Sequence, residues 1–157
     1  MNIRIAEEKD INRILQLLSQ VLEIHASLRP DLFISGTTKY THDELKDLLK
    51  DNNRRIYVAV DENDIVTGYV FCEISEQKNR GNQVPFRSIY IDDLCVDESK
   101  RQNHIGQALL DHVKSEAEKI GCYEITLHVW EGNDRARKFY EKMGFGIKST
   151  TMEYILK

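Results

Sequence analysis

The sequence predicts a mixed α/β fold in which a central sheet is covered by helices on both faces. Two observations carry that reading. Hydrophobic periodicity switches between about two and about 3.6 along the chain and spells the order β-α-α-β-β-β-α-β-α-β. The length of 157 residues, with 41% hydrophobic and 31% charged composition, fits one globular domain and leaves no room for a second.

Residues 2–6 alternate like a short strand, and Ile11, Ile14, Leu15, Leu18, Val21 and Leu22 then recur at helical spacing until Arg29-Pro30 ends the helix. Thr41 and Glu44 have the spacing of a capping box, with Leu45, Leu48 and Leu49 as the buried stripe of a second, short helix. Residues 55–60 and 65–74 read as two strands joined by the polar turn Asp61-Glu62-Asn63-Asp64. Residues 75–85 are polar without period and read as a loop, 88–96 as a strand, and 105–120 as a helix closed by Gly121 at its C-cap. Residues 124–129 form the next strand, 133–143 a helix stopped by Gly144, and 147–156 read as closing strands. No repeat, linker or low-complexity tract interrupts this order.

Composition excludes several classes of function. No run of about 18 apolar residues spans a bilayer, and the charged start Met1-Asn2-Ile3-Arg4-Ile5 does not resemble a signal peptide, so a soluble cytoplasmic protein is expected. Cys72, Cys95 and Cys122 have no CxxC spacing, and neither disulfides nor a metal site is expected. His42-Asp43-Glu44 lacks the spacing of a zinc helix. Net charge is −4 with no basic block, which argues against nucleic acid and leans towards a cationic partner.

Two motifs carry chemistry. Lys100-Arg101-Gln102-Asn103-His104-Ile105-Gly106-Gln107 joins an apolar strand to a helix, a turn whose free backbone N–H groups and positive helix end attract anions. About thirty residues on, Asn133, Ala136, Phe139, Tyr140, Gly144 and Phe145 combine an asparagine cap, an aromatic pair and a glycine stop. No GxGxxG occurs, so a dinucleotide-binding reading fails.

On these residues the chain resembles the GNAT superfamily of N-acetyltransferases, most densely over residues 90–145. The family's phosphate-binding loop, Arg/Gln-x-x-Gly-x-Gly/Ala, is matched by Arg101 and Gly106, with His104 as the departure. Its second signature, Asn-x-x-Ala-x-x-Phe-Tyr-x-x-x-Gly-Phe, is matched at all six named positions. The resemblance implies a GNAT-like fold, a mixed and mostly antiparallel sheet in which two parallel strands, residues 88–96 and 124–129, splay apart around acetyl-CoA. The implied cofactor-binding residues are Leu94, Cys95, Val96, Arg101, Gln102, Asn103, His104, Ile105, Gly106, Gln107, Asn133, Ala136 and Tyr140. A backbone N–H near Leu94, Cys95 or Val96 would face the acetyl oxygen, and loss of one such donor typically costs a few kcal/mol of barrier.

The implied reaction is direct attack on the thioester, in a ternary complex, by an amine of a small molecule or a peptide. An amine with an ordinary pKa of about 10.4 must first lose a proton, and the departing thiolate must be stabilised. Tyr140 matches the family's tyrosine at the second task; packing beside Phe139 and Met143 would explain the same letter. For the base, Asp92 and His128 are the candidates, and water is the third. Regular alternation would put Tyr90, Asp92 and Leu94 on one strand face and Ile91 and Asp93 on the other. His25, Arg29, Asp31 and Phe33 fall where the family shapes its acceptor pocket, and a homodimer through the C-terminal strands is compatible with the family. A non-catalytic CoA-binding regulatory or interaction module is the alternative reading. Histidine tolerates positive φ better than most residues, so His104 need not disturb the turn.

Overall fold

The computed structural model describes residues Met1 to Lys157. Five strands form one sheet in the order of the chain: β1 Asn2–Ile5, β2 Arg54–Val60, β3 Val66–Gln77, β4 Phe86–Val96 and β5 Glu124–Leu127. The first three pairings are antiparallel and β4–β5 is parallel, giving the mixed, mostly antiparallel sheet that was expected. Helices α1 Ile11–Leu28 and α2 His42–Leu48 precede β2, α3 Ile105–Lys119 makes the crossover from β4 to β5, and α4 Asp134–Lys142 follows β5.

Alternation along the strands divides the core into two layers. On one face Ile56, Val58, Val60, Tyr69, Phe71 and Cys95 meet Ile11, Ile14, Leu17 and Leu18 of α1 and Leu45 of α2. On the other, Tyr57, Ala59, Val70, Cys72, Ile89 and Ile91 meet Leu109, Leu110, Val113 and Ala117 of α3. Each layer buries a dozen or so apolar side chains, and each contributes about 1.5–3 kcal/mol when fully withdrawn from water. The sheet is therefore clamped from both sides and holds β4 in a fixed place.

Local signals set most boundaries. Thr41 Oγ1 accepts the Glu44 amide at 3.2 Å and opens α2, and Asn133 Oδ1 accepts the Ala136 amide at 3.2 Å and opens α4. Gly121 closes α3 at φ 71°, the left-handed C-cap that the sequence predicts. Two expectations need correction. The loop after β3 is shorter than 75–85, because Glu76 and Gln77 pair with Arg87 and Phe86 and two Arg87–Glu76 hydrogen bonds extend the hairpin. Residues 147–156, expected as closing strands, form no strand: they have no partner within the chain to complete a ladder. No helix is long and apolar enough to cross a membrane.

Candidate active site

The parallel strands separate part-way along β4. Pairing with β5 ends at Ile91–Leu127, whereas β4 stays bonded to β3 as far as Val96. The edge of β4 from Asp92 onward therefore opens onto a gap. The Asp97 amide donates to Thr67 O at 2.8 Å on the β3 side, so by alternation the amides of Leu94 and Val96 point into the gap. This is the splayed arrangement expected, with two backbone donors facing the gap.

A bulge sits at the same point. Phe71 pairs with Asp93 but the next residue, Cys72, pairs with Ile91, which leaves Asp92 as the extra residue. The bulge breaks the regular alternation, so the expected division of faces is wrong beyond Ile91. Asp92 and Asp93 both turn towards the α1–α2 side, whereas Leu94 packs with the α3 layer. Asp92 is held from two directions, Oδ1 by Lys39 Nζ at 2.9 Å and Oδ2 by the Tyr40 hydroxyl at 2.6 Å, with Tyr40 stacked on Phe71. Asp93 accepts from the Tyr69 hydroxyl at 3.0 Å. Burial of the Asp93 carboxyl, which raises the cost of its charge, pushes its pKa from 3.8 up to about 6; Lys39 and Tyr69 oppose the shift and Asp92 adds to it.

Tyr140 lies on α4 between Phe139 and Phe145, with ring centroids at 5.1 and 5.7 Å. Burial, reinforced by the charge of Asp93, raises its pKa above the ordinary tyrosine value, so the phenol keeps its proton. Tyr140 is thus both a packing residue and a hydroxyl within the electrostatic reach of Asp93. His128 follows β5 directly, and its Nδ1 meets the Tyr90 hydroxyl at 2.9 Å. Asp92 and His128 are therefore both engaged with neighbours, and sequence reasoning passed over Asp93. Only the bulge reveals it; the Asp-Asp pair was its one visible sign.

At the far end of the gap the turn into α3 presents a run of unpaired backbone amides. Gln102 and His104 have φ of 72° and 56°, so the histidine does adopt the left-handed conformation. No side chain caps α3, and none of the amides of Gln102, Asn103, His104, Ile105, Gly106 and Gln107 donates within the chain. Successive free amides in a turn of alternating hand, at the start of a 15-residue helix, form a concave donor set that fits a pyrophosphate. Gly106 is needed for packing rather than for φ: a Cβ there would meet the Phe139 ring at 3.3 Å. The two sequence motifs are thus in direct contact. Asn133 and Ala136 are occupied with capping α4, and Cys95 is a buried thiol raised to about 12 by burial, which removes it as a nucleophile.

The outer wall is aromatic. Phe33 touches His25 at 5.3 Å and Trp130 edge-on at 5.5 Å, and the Arg29 guanidinium lies 5.8 Å over the Trp130 ring. Of the four residues placed near an acceptor pocket, His25, Arg29 and Phe33 converge here, while Asp31 serves to hold Arg29 at 2.7 Å. Trp130, Lys39, Tyr40 and Tyr69 were not singled out from the sequence.

Comparison with known proteins agrees with this geometry. Residues 19–145 match the Acetyltransferase (GNAT) family. A probable N-acetyltransferase of Drosophila melanogaster, named san, is 38% identical over 59% of this chain and 47% of its own. N-alpha-acetyltransferase 50 of Danio rerio is 36% identical over 59% of this chain and 52% of its own. The chain thus spans about half the length of these curated relatives. The crystal structure of a mutant Bacillus halodurans protein is 29% identical, covers 100% of both chains and superimposes with a TM-score of 0.96. The splayed strands, the bulge, the uncapped anion turn and this match over most of the chain lead to one conclusion: the chain belongs to the GNAT acetyltransferase family.

Proposed function

We propose that the chain is an N-acetyltransferase that moves an acetyl group from acetyl-CoA to a primary amine by direct attack in a ternary complex. The observation that carries this reading is a carboxyl on the open half of β4 raised to about 6, within electrostatic reach of a phenol on α4 that keeps its proton. A base and an acid whose environments separate their pKa values are what the two proton movements require.

Acetyl-CoA supplies the thioester; the chain's residues supply the rest. The free amides of residues 102–107 hold the pyrophosphate, as the resemblance implied, and the amides of Leu94 and Val96 orient towards the acyl oxygen. Asp93 takes a proton from the incoming ammonium, a role that replaces Asp92, whose two oxygens are occupied by Lys39 and Tyr40. His128, bound to Tyr90, stands at the end of β5 as a proton relay to solvent. The Tyr140 hydroxyl, with no hydrogen bond within the chain, donates to the departing sulfur.

The acceptor is a cation. Asp92, Asp93 and a net charge of −4 favour a protonated amine, and the wall of His25, Phe33 and Trp130 offers π-faces to its carrier, a small amine or polyamine, an antibiotic amine or a protein amine. The Danio rerio relative is named for an α-amine, which adds peptide N-termini to the candidates. Three free cysteines suit a cytoplasmic protein of one domain.

The experiment combines melting and turnover. Acetyl-CoA at about 100 times its Kd adds about 2.7 kcal/mol of stability, a clear rise in Tm. Release of free thiol is then followed across amines, polyamines and peptides. No shift at millimolar acetyl-CoA removes the proposal; a shift without release of CoA thiol in the presence of any amine leaves a non-catalytic CoA-binding module.

A further inference from the structure

The segment between α1 and α2 reaches the open half of β4 with two neighbouring side chains, Lys39 and Tyr40. Its backbone is anchored on both sides of Lys39. The Ser35 hydroxyl and the Gly36 amide donate to Glu23 at 2.7 and 2.6 Å, and the Tyr40 ring stacks on Phe71. From between these anchors Lys39 Nζ donates to Asp92 Oδ1 at 2.9 Å and to the Asp92 carbonyl at 3.5 Å, and lies 5.7 Å from the centre of the Tyr40 ring. The same charge acts on Asp93, where it opposes the upward shift, and on His25, which burial holds below its ordinary 6.5 and Lys39 pushes lower still. A single ammonium thus contacts Asp92 within electrostatic reach of both the proposed base and the aromatic wall.

The two partners of this ion pair differ in how much each needs the other. The Asp92 side chain is 16% exposed and that of Lys39 is 43% exposed. A carboxylate withdrawn from water is costly without a cation, whereas a half-exposed lysine on a flexible stem returns to water at little cost. Tyr40, partly buried and donating to Asp92 at 2.6 Å, is the fixed partner; Lys39 is the exchangeable one. The carboxylate demands an ammonium, but not this one.

We propose that Asp92 and Tyr40 form the docking site for the acceptor's ammonium, and that Lys39 is its internal occupant, displaced as the acceptor enters. Acetylation turns that ammonium into an uncharged amide, which no longer competes, so Lys39 returns to Asp92 as the product leaves. The inference rests on the acetyltransferase reading and narrows its acceptor. The ammonium that the site already fits is primary and carried on an unbranched alkyl stem, so an aliphatic amine of that form, such as one end of a diamine, fits the same place. Competition from Lys39 divides the acceptor's affinity by the occupancy it must overcome, and a half-exposed pair holds by a factor of up to about five.

The test is the Kd of 1,4-diaminobutane, measured by titration calorimetry with CoA bound, for the parent, Lys39→Met, Asp92→Asn and the double variant. Methionine keeps an unbranched stem and removes the charge. Lys39→Met is expected to bind the diamine about three- to fivefold more tightly and Asp92→Asn about tenfold or more weakly, and Lys39→Met should add less than about twofold once Asp92 is replaced. A gain of equal size in the Asp92→Asn background would show a general effect of net charge. Unchanged or weaker binding by Lys39→Met, or a diamine that binds none of the four proteins, would show an ordinary surface ion pair. Each of these results overturns the proposal. The rise in Tm with acetyl-CoA is followed in all four proteins and reports folding and donor binding, so failure here is distinguishable from failure of the acetyltransferase reading.

Discussion

From Phe86 to Ile91, β4 is bonded on its β3 edge and, from Ser88, on its β5 edge as well, and it alternates as a sheet strand should, with Ile89 and Ile91 in the α3 layer. From Asp92 to Val96 the same strand is bonded on one edge only, carries a bulge, and turns two consecutive carboxylates to one side. One half is scaffold and the other is the candidate site. The difference arises because β5 ends at Leu127, which frees the backbone of β4 just where the bulge re-aims its side chains.

This contrast predicts that substitutions in the two halves separate stability from turnover. Asp93→Asn, in the open half, should lower kcat/KM by about 10²- to 10⁴-fold, the usual contribution of a general base, and remove a rise in activity with pH centred near 6. A pH–rate profile checks it, and an unchanged rising limb in the variant would return the role to His128 or water. Ile89→Ala, in the closed half, should cost about 3 kcal/mol of stability by denaturant titration and leave kcat of the folded enzyme within about twofold. A large fall in kcat there would merge the two halves.

Tyr140→Phe should lower kcat by about 10- to 1000-fold with nearly unchanged acetyl-CoA affinity, since its hydroxyl acts at the departing sulfur. Equal kcat values, with chemistry rate-limiting, would leave Tyr140 as packing alone. Asp93 also predicts a stability effect. Its folded pKa of about 6 lies above its ordinary 3.8, so the folded state holds the proton more tightly. That contribution is complete below pH 4 and is lost as pH rises through 6, on the order of 2–3 kcal/mol. Stability of the parent relative to Asp93→Asn should therefore fall across that window; a flat difference would show that the carboxyl is better solvated than its surroundings suggest. The smallest effect is expected at the cap of α4, where Asn133→Ala should cost about 1 kcal/mol in Tm-derived stability.

The signals that depend on neighbours in sequence were legible. The stripe Ile11, Ile14, Leu18 and Leu22 specifies α1, Thr41 and Asn133 mark where helices start, and Gly121 marks where one stops. The anion turn was legible too, His104 included, because a left-handed residue and a helix start are properties of a few consecutive residues. Asp93 was not. Its face depends on counting residues through a bulge, and that bulge exists only in the register between β4 and β3.

The sequence by itself determined where the helices and the five paired strands form and which family the motifs around residues 101–106 and Tyr140 resemble, since each rests on short-range periodicity, caps and motif spacing. Tertiary structure alone decided that Asp93 lies within electrostatic reach of Tyr140, that Asp92 is tied to Tyr40 and Lys39, and that residues 147–156 are unpaired. Each of these turns on a partner far along the chain. A strand acquires its faces and its ladder from the strand beside it, and no local pattern records which strand that is, or that one is missing.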